Sequence, residues 1–144
     1  MPGTASGTGY FGKNVLDTAR RLGVTNANFS IMPFDGGFNG ASSQIAALEQ
    51  FHSMLITAFG WDSATAYAHE GVSMMNGRTD TAEHFYPADF QSVLDYAHQK
   101  GLGRYTFWSV GRDRACPNNA DQLSSICSGI AQTDGAFTRF TAQF

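Results

Sequence analysis

Trp108 carries the side chain through which this sequence could most plainly grip a ligand, and Asp35, Asp80, Met32, Met75 and Phe34 stand at other strand ends and turns. Trp108 stands where an aromatic and β-branched run, Arg104-Tyr105-Thr106-Phe107-Trp108, gives way to the polar loop Ser109-Val110-Gly111-Arg112-Asp113-Arg114. A tryptophan at a strand end offers a flat apolar floor for a ligand ring. Asp35 follows Met32-Pro33-Phe34 and precedes Gly36-Gly37, and its carboxylate is a hydrogen-bond acceptor at that strand end. Asp80 closes the glycine-containing stretch Asn76-Gly77-Arg78-Thr79-Asp80. Met32 and Met75 bring a flexible, polarisable thioether to the ends of two apolar runs. Each has a plainer use as well. Asp35 can be a turn residue, Asp80 a cap, and Trp108 and the two methionines ordinary core. Arg112 and Asp113 read as a mutual pair or as ties for their own loop, and Arg78 as a solvated loop charge.

Other chemistries lack their residues. His52, His69, His84 and His98 are scattered without HxxxH or HExxH spacing, which argues against a metal site. Neither Gly40-Ala41-Ser42-Ser43 nor Cys127-Ser128-Gly129 forms a Gly-x-Ser-x-Gly elbow, so a serine triad has no support. The glycine-rich stretch Thr4 to Gly12 follows no strand and has no Walker lysine, which leaves phosphate binding without a basis. Cys116 and Cys127 flank a loop of Pro, Asn, Asp and Ser; a local disulfide is the preferred reading over free thiols, and it requires an oxidising compartment. No CxxC pair or neighbouring histidine suggests a metal there.

The elements that must position these residues alternate between helix and strand. Phe11, Val15, Leu16, Ala19 and Leu22 follow helical spacing up to Gly23. Within Val24 to Phe34, the residues Phe29, Ile31 and Met32 predict a strand ended by Pro33 and Asp35-Gly36-Gly37. Ser42 to Phe59 predicts a second helix with Ile45, Leu48, His52, Leu55 and Phe59 on one face. Gly71 to Met75 predicts a short strand running into the loop Asn76 to Asp80. Pro87 suits the first turn of a third helix, with Phe90, Val93, Leu94 and Ala97 as its buried stripe and Gly101 as its cap. A strand over Arg104 to Val110, the cysteine loop and a terminal helix from about Asp134 to Gln143 complete the order. Such alternation implies parallel strands with right-handed crossovers. Three strands make a poor sheet alone, and the strand ending at Ile31-Met32 is expected to expose an apolar edge.

With 144 residues the chain can bury one sizeable core. A net charge of −3 and a pI near 5.7 argue against nucleic-acid or anionic-membrane partners, which want clustered Lys and Arg. Charged residues make up only 15%, and no apolar run reaches the length of about eighteen residues needed to span a bilayer. Met1 to Gly7 has neither a basic segment nor an apolar core and does not read as a signal peptide.

Four segments resemble glycoside hydrolase family 18, the chitinases. Asn28-Phe29-Ser30-Ile31 followed by Met32-Pro33-Phe34-Asp35 is similar to the family's sixth barrel strand with its Met-x-Tyr/Met-Asp signature. Ser73-Met74-Met75-Asn76-Gly77-Arg78-Thr79-Asp80 matches the seventh-strand segment at Met75, Gly77 and Asp80. Phe107-Trp108-Ser109 with Arg112-Asp113 is similar to the eighth strand, and Cys127-Ser128-Gly129-Ile130-Ala131-Gln132 to the closing segment. The resemblance spans nearly the whole chain and implies that residues 1–144 form the C-terminal portion of a (β/α)8 TIM barrel: an α/β piece with about three parallel strands and four helices. A complete barrel takes roughly 250 residues.

The resemblance also implies a retaining, substrate-assisted glycosidase, in which the substrate's acetamido oxygen attacks its own anomeric carbon while a glutamic acid protonates the leaving oxygen. That acid ends an Asp-x-x-Asp-x-Asp-x-Glu motif, which does not precede Glu49, Glu70 or Glu83. The chain is therefore expected to supply no catalytic residue and to be inactive alone. It would contribute the sugar-holding half of the site: Trp108 as floor, Asp35 on hydroxyls or the acetamido group, Met32 and Met75 as walls, with Phe34 and Asp80 beside them. Phe34 departs from members with a tyrosine there. The implied partner is chitin or chito-oligosaccharide, the implied compartment extracellular, and no cofactor or metal is called for. The rival readings are a non-catalytic sugar-binding protein and a partial barrel that self-associates through open sheet edges. An unrelated doubly wound domain would need more strands than the sequence supplies.

Overall fold

The glycine-rich start folds back on itself instead of forming a phosphate loop. In the computed structural model, which describes residues 1–144, β1 (Gly3–Thr4) and β2 (Gly7–Thr8) form a small antiparallel hairpin. Their two-residue strands hold too little alternation to be legible in the sequence. Helix α1 (Tyr10–Arg21) buries Leu16 and Ala19 and carries Arg20 and Arg21 in its last turn, where they complement the helix dipole. Strand β3 is confined to Phe29–Ile31, followed by helix α2 (Gly40–Phe59). Helix α2 buries Ala47, Leu48, Phe51 and Leu55 and ends at Gly60, whose left-handed backbone (φ 69°) suits glycine.

A seven-residue helix, α3 (Ser63–His69), was not anticipated from the sequence. Asp62 caps it by accepting from the Thr65 N–H at 2.8 Å. Strand β4 (Glu70–Met75) follows directly. The stretch expected to be plain loop after Met75 holds β5 (Gly77–Arg78), paired antiparallel with β6 (His84–Phe85). Helix α4 (Pro87–Lys100) starts on its proline, with Asp89 Oδ2 accepting from the Tyr86 N–H, and stops at Gly101. Strand β7 (Arg104–Trp108) ends two residues earlier than expected, giving way to a 3-10 turn at Val110–Arg112. The terminal helix is a single turn, α5 (Thr138–Thr141), because Gly135 turns left-handed (φ 73°) within the span expected to be helical. The α-helices thus number five, against the four anticipated.

The main sheet is parallel in the order β3-β4-β7, with β4 central. Strand alternation puts Val72 and Met74 on one face, in one apolar cluster with Leu48, Phe51, Phe90, Val93, Leu94 and Ala97 from α2 and α4. Ser73 and Met75 point to the other face. The outer edge of β3 is not left bare: Met1 to Gly3 lie alongside it, with Met32 N–H donating to the Met1 carbonyl and Gly3 N–H to the Met32 carbonyl. No helix is long and apolar enough to cross a membrane.

Candidate functional site

Parallel strands bring their C-terminal ends to one side, and the register pairs Met75 with Trp108 directly. Just beyond those ends lies a cavity of about 550 Å³. Its walls include Met32 and Phe34 after β3, Ser73 and Met75 from β4, Trp108 from the end of β7, and Asp80 from the loop beyond β5. Arg112 and the segment Leu123-Ser124-Ser125 complete it. Of the six residues singled out above, five meet on this cavity. Trp108 is 59% exposed, far more than a core tryptophan, so its ring is available to a ligand.

Asp35 stands apart from the lining. Its backbone is left-handed (φ 57°), and its Oδ1 accepts from the N–H and hydroxyl of Thr81 at 3.0 and 3.1 Å. The turn role weighed for it is therefore real, and the turn ties the loop after β3 to the loop carrying Asp80. Glu83, which sequence reasoning left unused, completes the tie. Its carboxylate accepts from the N–H groups of Asp35, Gly37 and Phe38, each at 2.7 Å. Three backbone donors converging on one carboxylate make a charge-assisted clamp.

The junction after β7 is held by Asn76, a fully buried residue that sequence reasoning also passed over. Its N–H donates to the Trp108 carbonyl at 3.0 Å, and its Oδ1 accepts from the Ser109 N–H at 2.9 Å. The Trp108–Ser109 peptide is cis. The only available signal for Asn76 was a lone amide directly after an apolar strand.

Arg112 and Asp113 do not pair with each other; each secures separate backbone. Buried Arg112 donates through Nη2 to the carbonyls of Asn76, Arg78 and Ser128. Burial lowers its pKa, and the negative charges of Asp80 and Asp35 oppose that. Asp113 accepts from Gln132, from the N–H groups of Phe137 and Thr138, and from the Thr138 hydroxyl. Burial alone would raise its pKa, but these hydrogen bonds outweigh it and hold the carboxyl below the ordinary range. Arg78 is not a free loop charge: its Nη1 meets Asp121 Oδ1 at 2.8 Å. Gly77 (φ 73°) allows the close pass by which the Arg78 N–H reaches the Ser128 carbonyl at 2.7 Å, where a side chain would collide. Cys116 and Cys127 form a disulfide, Cα–Cα 5.0 Å.

No family model matches the chain. Over 73 residues, 51% of its length, it is 36% identical to Chitinase 63 of Streptomyces plicatus, a stretch amounting to 10% of that protein. The catalytic domain of a hyperthermophilic chitinase from Pyrococcus furiosus superposes with a TM-score of 0.92 at 23% identity, covering 99% of this chain and 48% of that one. Catalytic-site mutants of active domain 2 of that organism's thermostable chitinase, complexed with chito-oligosaccharides, match equally well. The chain thus spans about half of the solved domains and a tenth of the curated relative it matches. The chain is thus similar in sequence to a chitinase over half its length, and nearly all of it shares the fold of solved chitinase domains.

Proposed function

We propose that this chain is the C-terminal, sugar-holding part of a family 18 (β/α)8 barrel, and that it binds chains of β-1,4-linked N-acetylglucosamine. The observation that carries this reading is the convergence of Met32, Phe34, Met75, Asp80 and Trp108 from three strand ends and one loop onto one cavity. Binding sites of barrel enzymes lie at that end of the strands. Trp108 supplies the floor for the apolar face of a sugar ring, Met32, Phe34 and Met75 the walls, and Asp80 an acceptor for hydroxyls. Asp35 lends an acceptor at the rim through the turn it anchors.

The parent reaction would be retaining hydrolysis assisted by the substrate's own acetamido oxygen, with a glutamic acid protonating the leaving oxygen. None of the chain's own glutamates lines the cavity, which supports an inactive reading for the chain alone. Glu49 pairs with Lys100 at 2.9 Å, Glu70 is fully buried, and Glu83 is clamped by backbone N–H groups. The disulfide and the family relation support an extracellular setting.

Titrating the chain with N-acetylglucosamine oligomers while following tryptophan fluorescence tests the reading. Saturable binding is expected, and Trp108→Ala should weaken it by about 2 kcal/mol, roughly thirtyfold. Absence of binding by the folded wild-type chain would refute it, and turnover of a fluorogenic chitobioside would refute the inactive reading. A second reading, pairing of two copies, is favoured by the exposed apolar side chains Tyr10, Phe11 and Val15 of α1 and Leu22 just beyond its end. A concentration-independent monomer by sedimentation would remove it.

A further inference from the structure

The segment between the two cysteines looks idle by its composition, yet it forms one side of the cavity. Leu123, Ser124 and Ser125 line it together with the strand-end residues. The neighbouring apolar side chains are unusually open: Leu123 is 53% exposed, Val110 66% and Ile126 72%. Large apolar groups gathered beside a binding cavity mark contact surface more often than accident.

The segment has almost no regular structure of its own, but it is fastened at several points. The disulfide closes its base. Asp121 Oδ1 accepts from Arg78 at 2.8 Å and lies 3.0 Å from His84 Nε2, which ties the middle of the segment to the β5–β6 hairpin. Beyond Cys127, the Ser128 N–H donates to the Arg114 carbonyl at 2.9 Å, and Arg112 donates to the Ser128 carbonyl. Ordering a loop costs backbone entropy residue by residue, so fastening it before binding spares a ligand that cost.

Its chemistry suits a sugar. Ser124 Oγ accepts from the Ile126 N–H at 3.1 Å, which leaves the hydroxyl proton available to donate. Ser125 offers a second hydroxyl, and Leu123 an apolar surface for the C–H face of a ring.

We propose that Leu123, Ser124 and Ser125 form a further contact for an additional sugar unit of an oligosaccharide whose first ring lies on Trp108, so that the cystine loop sets a preference for longer chains. This rests on the sugar-binding reading above. The same face also fits a neighbouring protein segment, and the length series separates the two.

The test is calorimetric titration of the full chain with the dimer and the tetramer of N-acetylglucosamine. The double variant Leu123→Ala with Ser125→Ala should lose about tenfold in affinity for the tetramer and keep its affinity for the dimer. Trp108→Ala should weaken both. The double variant Cys116→Ser with Cys127→Ser, checked for an intact fold by circular dichroism, should reproduce the length-selective loss. If wild type binds both and the loop variants bind both unchanged, the loop contact is overturned while sugar binding stands. If the loop variants lose dimer and tetramer equally, the length preference is overturned. If wild type binds neither, the sugar reading falls and takes the loop contact with it.

Discussion

The two ends of the central strand β4 bury polar groups in opposite ways. At the C-terminal end, Asn76, Arg112 and Asp113 are enclosed, and each spends its side chain on named backbone partners. At the N-terminal end, Glu70 is fully buried and neither carboxylate oxygen has a hydrogen-bond partner. His52 Nδ1 lies 3.5 Å from Glu70 Oε2, and the Tyr96 hydroxyl is unpartnered too. Burial pushes the Glu70 carboxyl up to about 9, with the Glu49 charge adding to the shift and Lys100 opposing it. Burial also holds His52 below its ordinary value, against the charge of Glu49. Burial thus disfavours charge on both partners, raising the acid and lowering the imidazole. His52 stacks on Tyr67 at 3.5 Å, and its Nε2 lies 3.1 Å from Ser63 Oγ. One end uses buried polarity to hold a cavity in shape; the other closes over an acid at a cost in stability.

Breaking the well-bonded end should have the largest effect. Arg112→Met keeps bulk but removes the donor from the carbonyls of Asn76, Arg78 and Ser128. A loss of about 3–5 kcal/mol is expected, read from the urea midpoint at unchanged slope. An unmoved midpoint would show that this end does not depend on its arginine.

The opposite end should respond with the opposite sign. Between pH 4.5 and about 9 the folded chain keeps a proton on Glu70 that the unfolded chain has released, so stability falls as pH rises through that window. Glu70→Gln should remove the penalty, adding about 3 kcal/mol at pH 7 and little at or below pH 4.5. The neighbouring titratable groups, His52, Glu49, Lys100, Tyr67 and Tyr96, stay in place in that variant. Parent and variant stability curves running parallel from pH 4.5 to 9 would clear Glu70 as the cause.

A smaller change sharpens the contrast within the site. Glu83→Gln keeps one acceptor but replaces the other with an N–H donor facing the Asp35, Gly37 and Phe38 amides. Those three amide protons should exchange about tenfold faster, equivalent to about 1.4 kcal/mol of local opening. Exchange at the parent rate would mean the loop after β3 is held by something else.

Half of the cavity lining was legible because those residues follow a simple rule. Met32, Met75 and Trp108 lie where β-rich runs break into polar loops, and parallel strands gather such points on one side. The clamps were not legible. Nothing local distinguishes Glu83 from any exposed glutamate, because its donors lie 45 to 48 positions away. Asp35 was weighed as a ligand residue and as a turn residue, and only its distant contact with Thr81 shows the turn at work. Helix α3 was passed over because seven residues are too few to display helical periodicity, although its cap at Asp62 was readable.

By itself the sequence determined the alternation of helix and strand, the parallel sheet and the strand-end residues, and it favoured the cystine over free thiols. These depend on local periodicity, on turn chemistry and on spacing along the chain. Only the tertiary structure decided that Arg112 and Asp113 serve separate segments, that the cystine loop walls the cavity, and that Glu70 is shut away beside His52. Those outcomes depend on which distant groups meet and how much water they lose when they do.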